Sequence, residues 1–361
     1  MMRHVAANAL TLLILGLVVL FGVVSWVKSQ VDGRGPLDTP IEFQVERGEG
    51  LASVADRLGE AGAISSPSIF RIAARYGKLD AGLRFGDYSI PAGASMREIL
   101  ALMNRGGNVV RQVVVPEGLT SWQVVELLKA QPELSGEIAE VPAEGTLAPA
   151  GYDYQRGDDR NALVGRMQAR QEEILDAAWT GRASDLPLRS PEELLTLASI
   201  VEKETGVVEE RPRVARVFVN RLERGMRLQT DPTVIYGITR GEGPLGRGLR
   251  ASELATSTPY NTYVREGLPP GPIANPGADA IAAAANPAPG DDLYFVADGS
   301  GGHAFARTLE EHNRNVAAWR RIEAQRAAEA KAAEEAAARG PVEIEGTPGQ
   351  VERPMPRVPE P

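Results

Sequence analysis

The chain has no cysteine and only three histidines in 361 residues. Without cysteine there is no disulfide framework, no thiol nucleophile and no zinc–thiolate site. The absence does not fix a compartment, although it is compatible with an oxidising one. The histidines form no cluster with metal-ligand spacing, so no metal is expected, and no other cofactor. His303, between Gly302 and Ala304, reads as a hydrogen-bonding or structural residue. A basic surplus is missing too: 39 Lys and Arg face 48 Asp and Glu, a net charge of −9. That is the reverse of the basic stripe a nucleic-acid partner requires.

One long apolar run is present. Residues 5–27, "VAANALTLLILGLVVLFGVVSWV", carry no charge and end beside Trp26 and Lys28. A bilayer core of about 30 Å needs roughly 20 such residues in a helix. A cleaved signal peptide would have a shorter apolar region and a small-residue cleavage site, so an uncleaved anchor is expected. Arg3 on one side and Lys28 with Arg34 on the other barely decide its orientation. Residues 29–40, "SQVDGRGPLDTP", read as a polar linker out of the membrane.

Beyond the linker the pattern is α+β. "IEFQVERGEGLASVADRLGEAGAI" gives an alternating strand, a Gly turn and a helix, and "VVRQVVVPEGLTSWQVVELLKAQPEL" repeats that order. Ser66-Pro67 and Gly77 bracket a further helix. Residues 141–190 are less periodic, apart from a helix near "NALVGRMQARQEEILDAAW". From Trp319 the chain is rich in Ala, Glu and Arg, which predicts an exposed helix, and the Pro/Glu/Gly-rich end from Pro341 is expected to be disordered.

The densest chemistry lies between 190 and 315. Ser190-Pro191-Glu192-Glu193 is a helix start, with Ser as N-cap, and Leu194, Leu197, Ala198 and Val201 form a buried stripe running into "LASIVEKETG", with Gly206 as the stop. At about 100° per residue, Glu202 and Glu204 stand about 200° apart and cannot act as a close pair. Geometry alone does not choose between them. "RPRVARVFVNRLERGM" predicts a second helix, followed by the polar "RLQTDPTVIYG" and the Pro/Gly-dense "STPYNTYVREGLPPGPIANPG". Amides, hydroxyls and aromatics on loops fixed by Pro and Gly suit a carbohydrate groove.

These stretches, together with "LYFVADGSGGHAF" and His312-Asn313, resemble the YceG-like family of endolytic murein transglycosylases, densely over about 190–315 and loosely over 40–190. The resemblance implies an anchor and linker (1–39), a LysM-like peptidoglycan-binding subdomain (40–113), a YceG-like α+β catalytic domain (114–322) and a charged helix with tail (323–361). It implies a bacterial inner-membrane, single-pass enzyme with a periplasmic catalytic domain. Such an enzyme cleaves the β-1,4 MurNAc–GlcNAc bond inside glycan strands to leave 1,6-anhydro ends. Its expected partners are peptidoglycan strands, the membrane and peptidoglycan synthases. Carried over by motif, the second glutamate of E-K-E-T, Glu204, is the catalytic acid, kept protonated at rest by an apolar wall. Gln229, Asp231, Tyr236, Asn261 and His303 fall on further motif positions and are assigned to the substrate groove without catalytic steps.

One element departs from the family pattern. In "EGTLAPAGYDY" the family's Asp and Thr become Ala150 and Gly151, which puts in question a substrate role for that loop. By its residues alone Asp231 reads as an Asx-Pro turn. The alternatives are a water-using muramidase with Asp231 as partner carboxylate and a non-catalytic peptidoglycan-binding scaffold. A pyridoxal-dependent lyase, a label some family members carry, lacks its lysine context here.

Overall fold

In the computed structural model, which describes residues 2–77, 83–107 and 109–338, helix α1 (Met2–Asp32) does not stop where its apolar run stops. Its side chains from Leu10 to Trp26 are exposed, whereas Val31 is buried and Val27 packs on the adjoining core. The stretch Leu10–Asp32 is the one helix among the described residues long and apolar enough to cross a membrane, with mean hydropathy 2.7. The segment 29–40, read as a polar linker, is tied to the first module at a few points. Gly35 N–H donates to Gly93 O at 3.1 Å, Gly93 N–H donates to Leu37 O at 2.8 Å, Leu37 is buried, and Arg97 pairs with Asp32. Most of the segment is exposed, as its polar composition predicts, while its backbone finds partners in the neighbouring loop.

α1 packs on a first module made of β1 (Ile41–Val45), α2 (Leu51–Glu60), α3 (Pro67–Tyr76), β2 (Gly86–Ile90) and α4 (Met96–Arg105). β1 and β2 pair antiparallel, Phe43 opposite Tyr88, and cover a core of Leu58, Phe70, Ile90, Ile99 and Met103. Capping follows the sequence: Ser66 accepts from Ile69 N–H ahead of Pro67, and Ser95 with Glu98 forms a capping box. Gly35 sits so close to the Ala94 carbonyl that a Cβ there would stand 2.0 Å from its oxygen. Gly35→Ala is therefore expected to destabilise the first module by about 1–3 kcal/mol, read as a lower thermal midpoint.

A second module repeats the strand–turn–helix order with β3 (Arg111–Val114) and α5 (Ser121–Lys129), as the sequence likeness predicts. β3 pairs antiparallel with β4 (Gly151–Tyr154), a strand the aperiodic reading of 141–190 omits because only Tyr152 and Tyr154 carry its buried face. α6 (Arg160–Thr180) closes this core through Leu163 and Met167.

The remaining helices of the first compact unit, which ends at Gly290, surround α7 (Pro191–Glu204). α6, α8 (Arg211–Glu223), α9 (Asp231–Thr239) and α11 (Ala278–Ala285) all pack on it, with the short α10 (Ala251–Ala255) following α9. The expected apolar stripe of α7 is thus a correction: every residue from Leu194 to Val201 is buried, because neighbours cover all its faces. The polar ones are satisfied. Thr196 Oγ donates to Glu192 O at 2.8 Å, and Ser199 Oγ accepts from Ile273 N–H at 3.0 Å. The helix ends in extended Thr205, with φ −139° and ψ 132°, and needs no left-handed Gly206.

The second unit starts at Asp291, inside the span expected as one catalytic domain. Taken by itself, it holds the hairpin β5 (Tyr294–Ala297) and β6 (His303–Ala306), packed on α12 (Leu309–Ala338), which is exposed over 323–335. The tail from Pro341 lies outside the described residues.

Candidate active site

The two glutamates of "EKE" leave α7 in different directions, as its period requires. Glu202 turns into the protein: its Oε1 takes Arg211 Nη2 at 3.0 Å and its Oε2 takes Gly277 N–H at 3.0 Å. The same Arg211 nitrogen reaches Glu117 at 2.9 Å, so one buried guanidinium joins α7, α8 and the Glu117-Gly118 turn. Burial pushes the Glu202 carboxyl above its ordinary value; the Gly277 N–H and Arg211 pull it partly back. A Cβ at Gly277 would stand 1.9 Å from Glu117 Oε1, so a larger residue there would have to push the Glu117 side chain aside. Lys203 adds a bond from its Nζ to Gly118 O at 3.1 Å. These contacts hold the last turn of α7, and with it Glu204.

Glu204 meets a loop rather than a helix. The Thr230 hydroxyl donates to Glu204 Oε1, so a hydroxyl, not the expected apolar wall, contacts that oxygen. Thr230 is the N-cap residue of α9, and the loop carrying it is knitted to residues 261–263. Thr230 N–H donates to Thr262 Oγ at 3.1 Å, Thr233 Oγ to Thr230 O at 2.7 Å, and Gln229 N–H to Thr262 O at 3.2 Å. Behind the loop, buried Arg221 donates to Leu228 O at 2.7 Å.

"RLQTDPTVIYG" is accordingly not just a polar segment: α9 begins at Asp231, with Pro232 supplying a first-turn residue whose missing N–H costs nothing. Nor is Asp231 an Asx turn. Its carboxylate accepts the Tyr263 hydroxyl at 2.6 Å. Tyr263 is held protonated well above the ordinary phenol range, first by burial, then by its bond to Asp231 and by the charges of Asp231 and Glu204. Gln229 has an exposed side chain on a left-handed backbone, φ 51°, a conformation that costs a non-glycine residue about 1 kcal/mol or more. Thr230 and Tyr263 are site residues that the motif reading left out, although both stand in the stretches it singled out.

The other assigned positions separate. Asn261 is fully buried, and this corrects its place in the groove: its Nδ2 serves the carbonyls of Glu253, Leu254 and Thr256 at 2.7–3.2 Å, and its Oδ1 accepts Tyr263 N–H at 2.9 Å. It closes α10 and orients the Tyr263 backbone, with no polar atom spare for a sugar. Tyr236, in the middle of α9, is half-buried beside Tyr260, ring centroids 4.8 Å apart, and burial together with the nearby Glu144 charge holds its hydroxyl well above the ordinary phenol range. Glu144, at the head of the departing "EGTLAPAGYDY" element, therefore belongs to this neighbourhood despite Ala150 and Gly151. His303 lies in the second unit, edge-on to Phe295 at 5.3 Å. Among the described residues, no group of three His, Asp or Glu could hold a metal.

One carboxylic acid held by a hydroxyl, beside a protonated phenol, can pass a proton to a leaving oxygen and take one back. The model of the YceG-like family matches residues 43–318. An endolytic murein transglycosylase of Streptococcus pneumoniae serotype 2 (strain D39) is 29% identical over 367 residues, covering 87% of this chain and 65% of that protein. The chain thus spans just under two thirds of the pneumococcal relative's length. An endolytic murein transglycosylase of Bacillus subtilis (strain 168) is 28% identical, covering 76% of this chain and 84% of the relative. A solved YceG-like protein from Listeria monocytogenes is 30% identical over 76% of this chain and 98% of its own, with a TM-score of 0.46.

Proposed function

Because the chain belongs to the YceG-like family, we propose that it is a membrane-anchored endolytic lytic transglycosylase of peptidoglycan, with Glu204 as its catalytic acid and base. The observation that carries this reading is the Glu204 carboxyl, delivered at the end of a helix buried from Leu194 to Val201 onto the Thr230 hydroxyl. In the forward step Glu204 gives its proton to the glycosidic oxygen as the bond from MurNAc C1 breaks. The MurNAc 6-hydroxyl then bonds to C1 and returns its proton to Glu204, so no water is consumed and the new end is a 1,6-anhydro sugar. A hydrolase would need a second carboxylate to activate water or attack the sugar. Asp231, the candidate for that part, is engaged by Tyr263. Gln229 and Tyr236 are proposed to face the strand; His303, in the second unit, keeps its substrate assignment by motif position alone.

α1 is proposed to cross the bacterial inner membrane, with the modules after it in the periplasm near the peptidoglycan synthases. Endolytic cuts there would end the growth of nascent strands. The β1-α2-α3-β2 order of the first module, two helices between paired strands, supports its reading as a LysM-like glycan binder. The test is the mass of the fragments released from purified glycan strands. Ends lighter by one water than reducing ends are expected; reducing ends would identify a muramidase, and binding without any cut would identify a scaffold.

A further inference from the structure

Thr230, Thr233 and Thr262 are all buried, so each hydroxyl must find its partners inside the protein. Following the protons one at a time gives every bond a direction. Thr233 Oγ donates to Thr230 O at 2.7 Å, because a carbonyl can only accept. That commits the single Thr233 proton. The 2.9 Å contact between Thr233 Oγ and Thr262 Oγ is therefore donated by Thr262. Thr262 Oγ in turn accepts Thr230 N–H at 3.1 Å. The path leaves Thr230 at its N–H, passes through two hydroxyls and returns to Thr230 at its carbonyl, a closed ring. Bonds linked in this way strengthen one another.

The ring grips Thr230 on both sides of its Cα. Thr262 also holds the residue before it, accepting Gln229 N–H on its carbonyl at 3.2 Å. Gln229 is left-handed at φ 51°, a conformation that persists only where its surroundings over-determine it. Two Thr262 bonds to successive N–H groups supply that constraint. Thr262 is set in its turn by the neighbouring Asn261, whose amide serves three carbonyls of α10 and the residue after it. With its N–H and carbonyl both taken, Thr230 has its hydroxyl left outside the ring, and that hydroxyl donates to Glu204 Oε1.

We propose that Thr230 is a positioning residue for Glu204, and that Thr233 and Thr262 form the mount that aims its hydroxyl, so that the carboxyl is presented to the glycosidic oxygen in one orientation. This inference rests on the reading of Glu204 as the catalytic acid. Thr230 exchanges no proton with the substrate and acts through Glu204 alone. An untethered glutamate side chain samples several rotamers, and displacing a catalytic group by about 1 Å costs on the order of a hundredfold in rate.

The test is steady-state cleavage of purified glycan strands by the full chain in detergent, with thermal midpoints measured alongside. Thr230→Val suits the extended backbone there, φ −115° and ψ 125°, keeps both backbone bonds of the ring and removes only the hydroxyl. It is expected to lower kcat about thirtyfold with KM within about threefold of wild type. Thr230→Ser restores a hydroxyl and should bring kcat back to within about threefold. Thr262→Val opens the ring and should lower kcat about tenfold with little change in KM, and Thr262→Ser should recover it. Added to Glu204→Gln, Thr230→Val should slow cleavage no further, because its effect runs through the carboxyl.

A wild-type kcat in Thr230→Val overturns the proposal. So does a Thr262→Val chain that melts lower with kcat unchanged, which would make the ring purely structural. Further loss in the double variant also overturns it, since Thr230 would then act on the substrate directly. Should Thr262→Val fail to fold, the pair Thr230→Val and Thr230→Ser decides. If Glu204→Gln cleaves at the wild-type rate, the acid reading fails and the positioning role with it. An inactive Glu204→Gln beside a fully active Thr230→Val sinks the positioning role alone.

Discussion

Glu204→Gln is expected to lower the rate of glycan-strand cleavage by about a thousandfold or more while leaving strand binding in place. General acid–base catalysis by one positioned side chain contributes roughly 10²–10⁴-fold. In the proposed reaction a single carboxyl both protonates the leaving oxygen and deprotonates the 6-hydroxyl, so the effect belongs at the upper end of that range. Glutamine keeps the length of the side chain and still accepts from the Thr230 hydroxyl, so the loop from 228 to 233 and its bonds to Thr262 should persist. The measurement is release of soluble fragments from purified strands, followed by chromatography, with circular dichroism to verify the fold. Cleavage within about tenfold of wild type would remove Glu204 from the chemistry. The obvious neighbour offers a control: Glu202→Gln touches Arg211 and Gly277 rather than the groove, so its main effect should be on stability.

Arg211→Met should cost the fold about 3–5 kcal/mol, since it strips the cation from a buried carboxylate. Most of that loss belongs to Glu202, whose side chain is 6% exposed. Glu117 is 42% exposed and solvent screens much of its share. In a unit of this size the change corresponds to a drop of about 10 °C in thermal midpoint. The pH dependence has a definite sign. Glu202 already has a folded-state value raised above 4.5 by burial, and losing Arg211 removes a group that pulls it down. The folded state then holds a proton that the unfolded state has released, so stability falls as pH rises from about 4.5 through the folded value. The deficit of Arg211→Met against wild type is therefore larger at pH 7 than at pH 5. Adding Glu202→Gln should restore a good part of the midpoint at pH 7. Equal midpoints for Arg211→Met and wild type at pH 7 would show that the triad contributes nothing.

Local chemistry was legible along the chain. Ser66-Pro67 and Ser190-Pro191 start helices where their caps and prolines say they must, and the 200° between Glu202 and Glu204 becomes two separate sets of partners. What the sequence conceals lies in contacts between distant segments. Asn261 looks like a groove amide until its three carbonyl partners are seen, and Glu144 meets Asn275 across 131 positions. α7 looks amphipathic because Thr196 and Ser199 are polar, yet both spend their hydroxyls on neighbouring backbone and lie buried. The β4 strand is too short for its alternation to stand out, and only pairing with β3 makes it a strand.

The absence of slack between α1 and the first module has a mechanical consequence. A helix that leaves its apolar stretch at Trp26 and is already docked at Val27 and Val31 leaves its module no tether on which to swing. With α1 seated in a bilayer, the module can drift laterally and turn about the helix axis, and it tilts only when the helix tilts. Every point on the module's surface is thereby carried at one constant elevation above the lipid, and on the proposed reading a glycan strand would have to come to that height.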